Sequence, residues 1–134
     1  MATITQSVVT EMIAHAHSIK PIESCAYLAG TGDAVTKMIP MTNAANRADF
    51  FQFDPKEQFA AVKQARAEGL QLIGVYHSHP ESPARFSEAD KEWANDTSII
   101  YMILSLEQGE GNEVLNAFRV TDNEPRPEPL TVLD

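Results

Sequence analysis

The chain is short of three things, and each shortage narrows its chemistry. One cysteine, Cys25, stands among 134 residues, which excludes an intramolecular disulfide and any site built from several thiolates. Cations are few: 10 Lys and Arg face 19 Asp and Glu, for a net charge of −9, and no basic cluster interrupts the acidity. Nucleic-acid binding needs such clusters to displace counterions from phosphates, so no nucleic-acid partner is expected. No apolar run is long enough to cross a bilayer, so no membrane span is expected. The opening MATITQSVVTEMIAHAH has neither the basic start nor the apolar block of a secretory signal. With a lone thiol as well, a cytoplasmic location is the default expectation. The length suits one domain, expected over residues 1–134 with a Pro-rich tail over 121–134.

What is present alternates between helical and strand patterns. Val8, Val9, Met12, Ile13 and Ala16 recur at helical spacing over residues 5–19, and Pro21 stops the pattern. SCAYLAG reads as a buried strand, TGD as a turn and AVTKMIPM as the hairpin partner. The looser TNAANRAD leads to a short strand, FFQF. A second helix has Asp54 as N-cap, Pro55 in its first position, Glu57 at the capping-box position and Gly69 as terminator. LQLIGVYHSH is a strand that Pro80 breaks. ESPARF is a loop, and SEADKEWAND is a short helix capped at Ser87 or a neighbour. SIIYMILSL and EVLNAFRV form a second hairpin, and TDNEPRPEPL is expected to wander irregularly before a last strand over residues 130–133. This order predicts an α/β (α+β) fold: a single mixed, largely antiparallel β-sheet flanked by helices.

Histidine is scarce, four in all, yet His77 and His79 stand together at the end of an apolar strand. Residues i and i+2 of a strand share a face, so the two imidazoles project side by side while Ser78 turns away. Asp90 follows eleven residues after His79, and a helix starting at Ser87 puts it in the first turn. The intervening loop can fold that turn back over the strand end. Two His and one Asp leave a fourth tetrahedral position open, the pattern of a catalytic rather than a structural zinc. Such an ion can lower the pKa of its water to about 7. The bland reading of S-x-x-D is a capping motif, which is compatible with ligation by the Asp. His15 and His17 share the i, i+2 spacing, but on a helix they diverge by about 200°, so they are read as surface or groove residues. Cys25 reads as a small buried hydrophobe, and Phe86 and Trp93 read as packing residues. The general base must be one of the remaining carboxylates, and local spacing does not choose it. Ser87 is near enough in sequence to offer a hydroxyl to an oxyanion.

The run His77, His79, Pro80, Ser87, Asp90 resembles the motif H-x-H-P-x6-S-x2-D of the JAMM/MPN-domain (Mov34/PAD-1) metallopeptidases. Upstream, Glu23, Cys25, Ala26 and Leu28 resemble that family's E-x-C-G-x-L element, and the likeness runs from roughly residue 5 to 120. The resemblance implies the cytidine-deaminase-like MPN architecture. It implies that His77, His79 and Asp90 bind zinc, that Glu23 takes a proton from the attacking water and passes it to the leaving amine, and that Ser87 stabilises the oxyanion. Two departures stand out: Ala26 replaces the usual Gly, and Phe86 replaces the Pro that usually precedes the Ser. The chain lacks the inserted loops of the eukaryotic deubiquitinating members and is similar to the small bacterial ones. The implied substrate is therefore the C-terminal Gly-Gly end of a ubiquitin-like sulfur-carrier protein. The alternative is a non-catalytic MPN scaffold, although such modules typically lack part of the ligand set that is complete here. A nucleobase deaminase would need a P-C-x-x-C pair that one cysteine cannot supply, and no H-E-x-x-H helix occurs.

Overall fold

A computed structural model describes residues 1–134. Eleven elements follow in the order β1 (Ala2–Thr5), α1 (Gln6–Ile19), β2 (Cys25–Thr31), β3 (Ala34–Met41), α2 (Pro55–Ala67), β4 (Gln71–His79), α3 (Glu88–Trp93), β5 (Ile100–Ser105), β6 (Val114–Thr121), β7 (Glu124–Glu128) and β8 (Leu130–Leu133). The eight strands form one sheet in the order β7-β6-β5-β4-β2-β3-β1-β8. Pairing is antiparallel at β2/β3, β2/β4, β5/β6 and β6/β7, and parallel at β1/β3, β1/β8 and β4/β5. The sheet is thus mixed and mostly antiparallel, as the alternation of helix and hairpin patterns predicts.

Its two faces carry separate cores. Val8, Met12 and Ala16 form a buried stripe on α1 and pack with Leu28, Tyr76, Met102 and Leu104. On the other face, Ala61 and Ala65 of α2 pack with Val75, Tyr101 and Ile103, joined by Phe51, Trp93 and Phe86. Alternation along β4 therefore sends Tyr76 toward α1 and Val75 and His77 toward α2 and α3. Ala26, at the position of the expected Gly, is fully buried in the α1 core. At Gly74 an added Cβ would lie 2.7 Å from the carbonyl oxygen of Ile100, so the missing side chain lets β5 lie close to β4.

Five local expectations change. Residues 2–5 are a strand, β1, wedged between β3 and β8; four residues before a helix are too few for alternation to announce. Thr5 belongs to the cap of α1, not its body, its Oγ accepting from the Val8 N–H. FFQF makes a single bridge, Asn43 to Phe53, rather than a strand. Glu57 does not close a capping box on Asp54. Its carboxylate accepts from the Thr42 N–H at 2.6 Å and the Thr42 hydroxyl at 2.8 Å, pinning α2 to the end of β3. The Pro-rich tail over 121–134 is ordered: Asp122 and Asn123 take positive φ and return the chain as β7. Its Pro125 and Pro127 lie on an edge strand, where missing N–H groups are tolerated.

Candidate metal centre

The site lies where β4 ends. Cys25 pairs with His77 across the β2/β4 ladder. One step further the Ser78 N–H donates to the Ser24 carbonyl, and the Ser24 N–H donates to Ser78 Oγ at 2.8 Å. Ser78 is thereby consumed on the opposite face, and the same register continued brings Glu23 across from His79. Pro80 then ends the ladder, and residues 80–87 loop back to α3. Ser87 caps that helix: its Oγ accepts from the Asp90 N–H at 3.1 Å while Asp90 Oδ2 accepts from the Ser87 N–H at 3.0 Å. The capping box holds the Asp90 carboxylate over the strand end.

His77, His79 and Asp90 are 1%, 2% and 2% exposed, and Glu23 is 3% exposed. One ligand atom from each of His77, His79 and Asp90 falls within 4.8 Å of the others. The two Nε2 atoms are 3.1 Å apart, Asp90 Oδ1 is 3.1 Å from His77 Nε2, and Asp90 Oδ2 is 3.0 Å from His79 Nε2. The Pro83 carbonyl, 2.8 Å from His79 Nδ1, can only accept, so Nδ1 carries a proton and Nε2 faces the centre. Phe51 stacks on the His77 ring at 4.9 Å and 25°, and Trp93 meets it edge-on at 5.7 Å. His77 is thus held by rings while its Nδ1 has no hydrogen-bond partner.

The electrostatics follow from burial and mutual contact. Burial would raise the Asp90 carboxyl, but hydrogen bonds from His77 and His79 hold it well below the usual carboxylate range. Burial drives His77 down, toward the neutral ring that offers a lone pair. Burial also disfavours the cation of His79, yet Asp90 and the Pro83 carbonyl outweigh it and raise the group. Glu23 is pushed up to about 8, chiefly by burial, with His79 opposing and Asp90 adding. Its Oε1 is buried without a partner. Two imidazole nitrogens and a carboxylate aimed at one small volume have more acceptors than shared protons can satisfy. That donor set and geometry suit a divalent cation of the zinc type.

The remaining candidates separate cleanly. His17 is 2.7 Å from Glu113 and His15 packs near the Tyr76 ring, so neither joins the cluster. Cys25 is buried, its thiol pushed up to about 12 mainly by desolvation. Phe86 lies edge-on to Tyr101 and Phe118, a packing contact that keeps the capped turn beside the sheet. Two contacts of the histidines have no assigned role in the sequence reading: the Phe51 ring and the Pro83 carbonyl. Phe51 leaves a signal, as part of the apolar FFQF. A groove of about 690 Å³ opens beside the centre, walled by Tyr27, Phe51, Phe53, Leu72, Trp93 and Tyr101. It shares Phe51 and Trp93 with the walls of His77.

Comparison with known proteins places the chain in a family. The family of prokaryotic homologues of the JAB domain matches residues 5–121. The CysO-cysteine peptidase of Mycobacterium tuberculosis (strain ATCC 25618 / H37Rv) is 30% identical over 133 residues, covering 98% of this chain and 90% of that protein. The desampylase of Haloferax volcanii is 38% identical over 88 residues, covering 63% of each chain. The solution structure of protein DSY2949 from Desulfitobacterium hafniense superposes with a TM-score of 0.89 at 35% identity, covering 98% of this chain and 92% of that one. With a strand-end histidine pair, a capping aspartate and a family match across most of its length, the chain belongs to the prokaryotic JAB-domain family.

Proposed function

We propose that this chain is a zinc metallopeptidase that hydrolyses a peptide or isopeptide bond at the C-terminal Gly-Gly end of a ubiquitin-like sulfur-carrier protein. The observation that carries this reading is the convergence of His77, His79 and Asp90 beside the unpartnered carboxyl of Glu23. The relatives named for CysO-cysteine cleavage and for desampylation supply the substrate class. His77 Nε2, His79 Nε2 and Asp90 would hold the ion, which when bound supplies a Lewis acid for a carbonyl and acidifies water. Glu23 takes a proton from the attacking water and returns it to the leaving amine. A carboxyl raised toward neutral pH suits a group that must do both. Ser87 spends an oxygen lone pair on the Asp90 N–H, so its hydroxyl hydrogen is free to donate to the developing oxyanion. The aromatic groove adjoining His77 offers an apolar bed for the flanking segment of the substrate. A cytoplasmic setting suits the lone reduced thiol of Cys25.

Zinc-loaded protein incubated with carriers extended beyond Gly-Gly should shorten them to the Gly-Gly end, read by mass spectrometry, and chelation should stop the reaction. The Glu23→Gln variant should keep about one zinc per chain and lose cleavage by at least the 10²–10⁴-fold typical of a general base. Full activity in that variant would remove Glu23 from the mechanism, and shortening that survives chelation would remove the metal.

A further inference from the structure

Glu23 is the one group of the proposed mechanism whose carboxyl Oε1 is buried with no hydrogen-bond partner. What places it is its main chain. The Glu23 N–H donates to the Arg47 carbonyl at 2.9 Å, and the Glu23 carbonyl accepts from Asn43 Nδ2 at 3.0 Å. Asn43 follows β3, is only 7% exposed, and uses both ends of its amide. Nδ2 also donates to the Phe50 carbonyl at 2.9 Å and, at 3.3 Å, to that of Arg47, while Oδ1 accepts from the N–H groups of Ala45 at 3.0 Å and Gln52 at 3.2 Å. These contacts close the irregular segment over residues 43–53 on itself, around Asn46 with its φ of 54°. Phe51 lies between the two residues bonded at Phe50 and Gln52, and it is the ring that stacks on His77. One amide therefore joins the peptide of Glu23 to the loop that covers His77. Only a side chain with donors and acceptor on one planar group can make this set of bonds.

We infer that Asn43 is a positioning residue of the hydrolytic site, holding Glu23 and the Phe51 cover in register with each other. The inference rests on the peptidase reading for the role of Glu23, and its test separates the two. Asn43→Asp keeps the acceptor bonds from Ala45 and Gln52 but loses donation to Glu23, Arg47 and Phe50, whereas Asn43→Ala loses every bond. Each is made in the parent and in the Glu23→Gln background, and assayed on the zinc-loaded full chain with a carrier extended beyond Gly-Gly. Both should bind one zinc per chain and lose kcat on the order of 10²-fold, the scale of a misplacement near 1 Å, with KM changed by less than about threefold. Neither should slow the residual rate of Glu23→Gln further, because residues acting through one group are not additive. On the metal-free chain, the Glu23 amide should exchange its hydrogen about tenfold faster in both variants. Rate losses that multiply with that of Glu23→Gln, losses that track missing zinc or unfolded protein, or an unchanged Glu23 amide overturn the inference. If Asn43→Ala does not fold, Asn43→Asp decides alone. A parent chain that cleaves no carrier defeats the peptidase reading instead, and the exchange experiment still decides whether Asn43 holds Glu23.

Discussion

Glu23 pairs a stability cost with its proposed role. Its folded-state value near 8 lies above its ordinary 4.5, so between those two pH values the folded chain holds a proton that the unfolded chain has released. Stability therefore falls as pH rises across that window. Metal-free Glu23→Gln escapes this loss and should be more stable than the parent, by on the order of 1–3 kcal/mol at pH 8, with a smaller gap at pH 5. Urea denaturation at the two pH values measures it; an equal gap at both would show that burial of Glu23 is not what shifts it. The main-chain hydrogen bonds that Glu23 makes with Asn43 and Arg47 hold this carboxyl in its buried position despite that cost.

Among the elements, α3 serves two purposes through Ser87. As N-cap it satisfies the Asp90 N–H, and as a hydroxyl it is proposed to face the oxyanion. Substitution can divide these: Ser87→Ala should cost about 1 kcal/mol of stability and Ser87→Gly only a few tenths. Both should lose activity by about 10²–10³-fold, because both lack the donor. Activity that followed stability, with the Gly variant nearly normal, would leave Ser87 a cap alone. At the β4/β5 junction, Gly74→Ala should destabilise by about 1–3 kcal/mol, because its Cβ meets the Ile100 carbonyl and neither backbone can yield cheaply. A melting temperature equal to the parent's would show that β5 moves aside. That strand also anchors Tyr101, which the Asp96 N–H meets at 2.9 Å just beyond α3.

Taken as a whole, the molecule is held by two cores, yet its most crowded polar site lies at one end of the central strand. Asp90, His77 and His79 meet with more lone pairs than protons, so a divalent cation should bind the folded chain and not the unfolded one. Zinc at 100 times its Kd should then add about 2.7 kcal/mol, seen as a rise in melting temperature that EDTA reverses. The Asp90→Asn variant should lose most of that rise. No rise on adding zinc would argue that the cluster is an imidazole–carboxylate network sufficient in itself. Distant parts of the sheet are also joined by charge: Arg119 of β6 reaches Asp33 in the β2–β3 turn at 2.8 Å and Glu128 of β7 at 3.4 Å.

Much of this was readable along the chain because its determinants are local. Period-two alternation placed His77 and His79 on one face of β4, and a capping pattern placed Asp90 in the first turn of α3. Both depend on backbone geometry within a few residues. The strand character of β1 and β7 was not readable, since a short or Pro-bearing strand is defined by the neighbour it pairs with. Spacing does not choose the carboxylate proposed for proton transfer either. Glu23 lies more than fifty residues before His77, and its place beside the cluster depends on β2/β4 pairing, its burial and the loop that Asn43 closes. Ligand geometry arises from short-range periodicity, whereas the partner, the cover and the shifted proton affinity of Glu23 arise from contacts between distant segments.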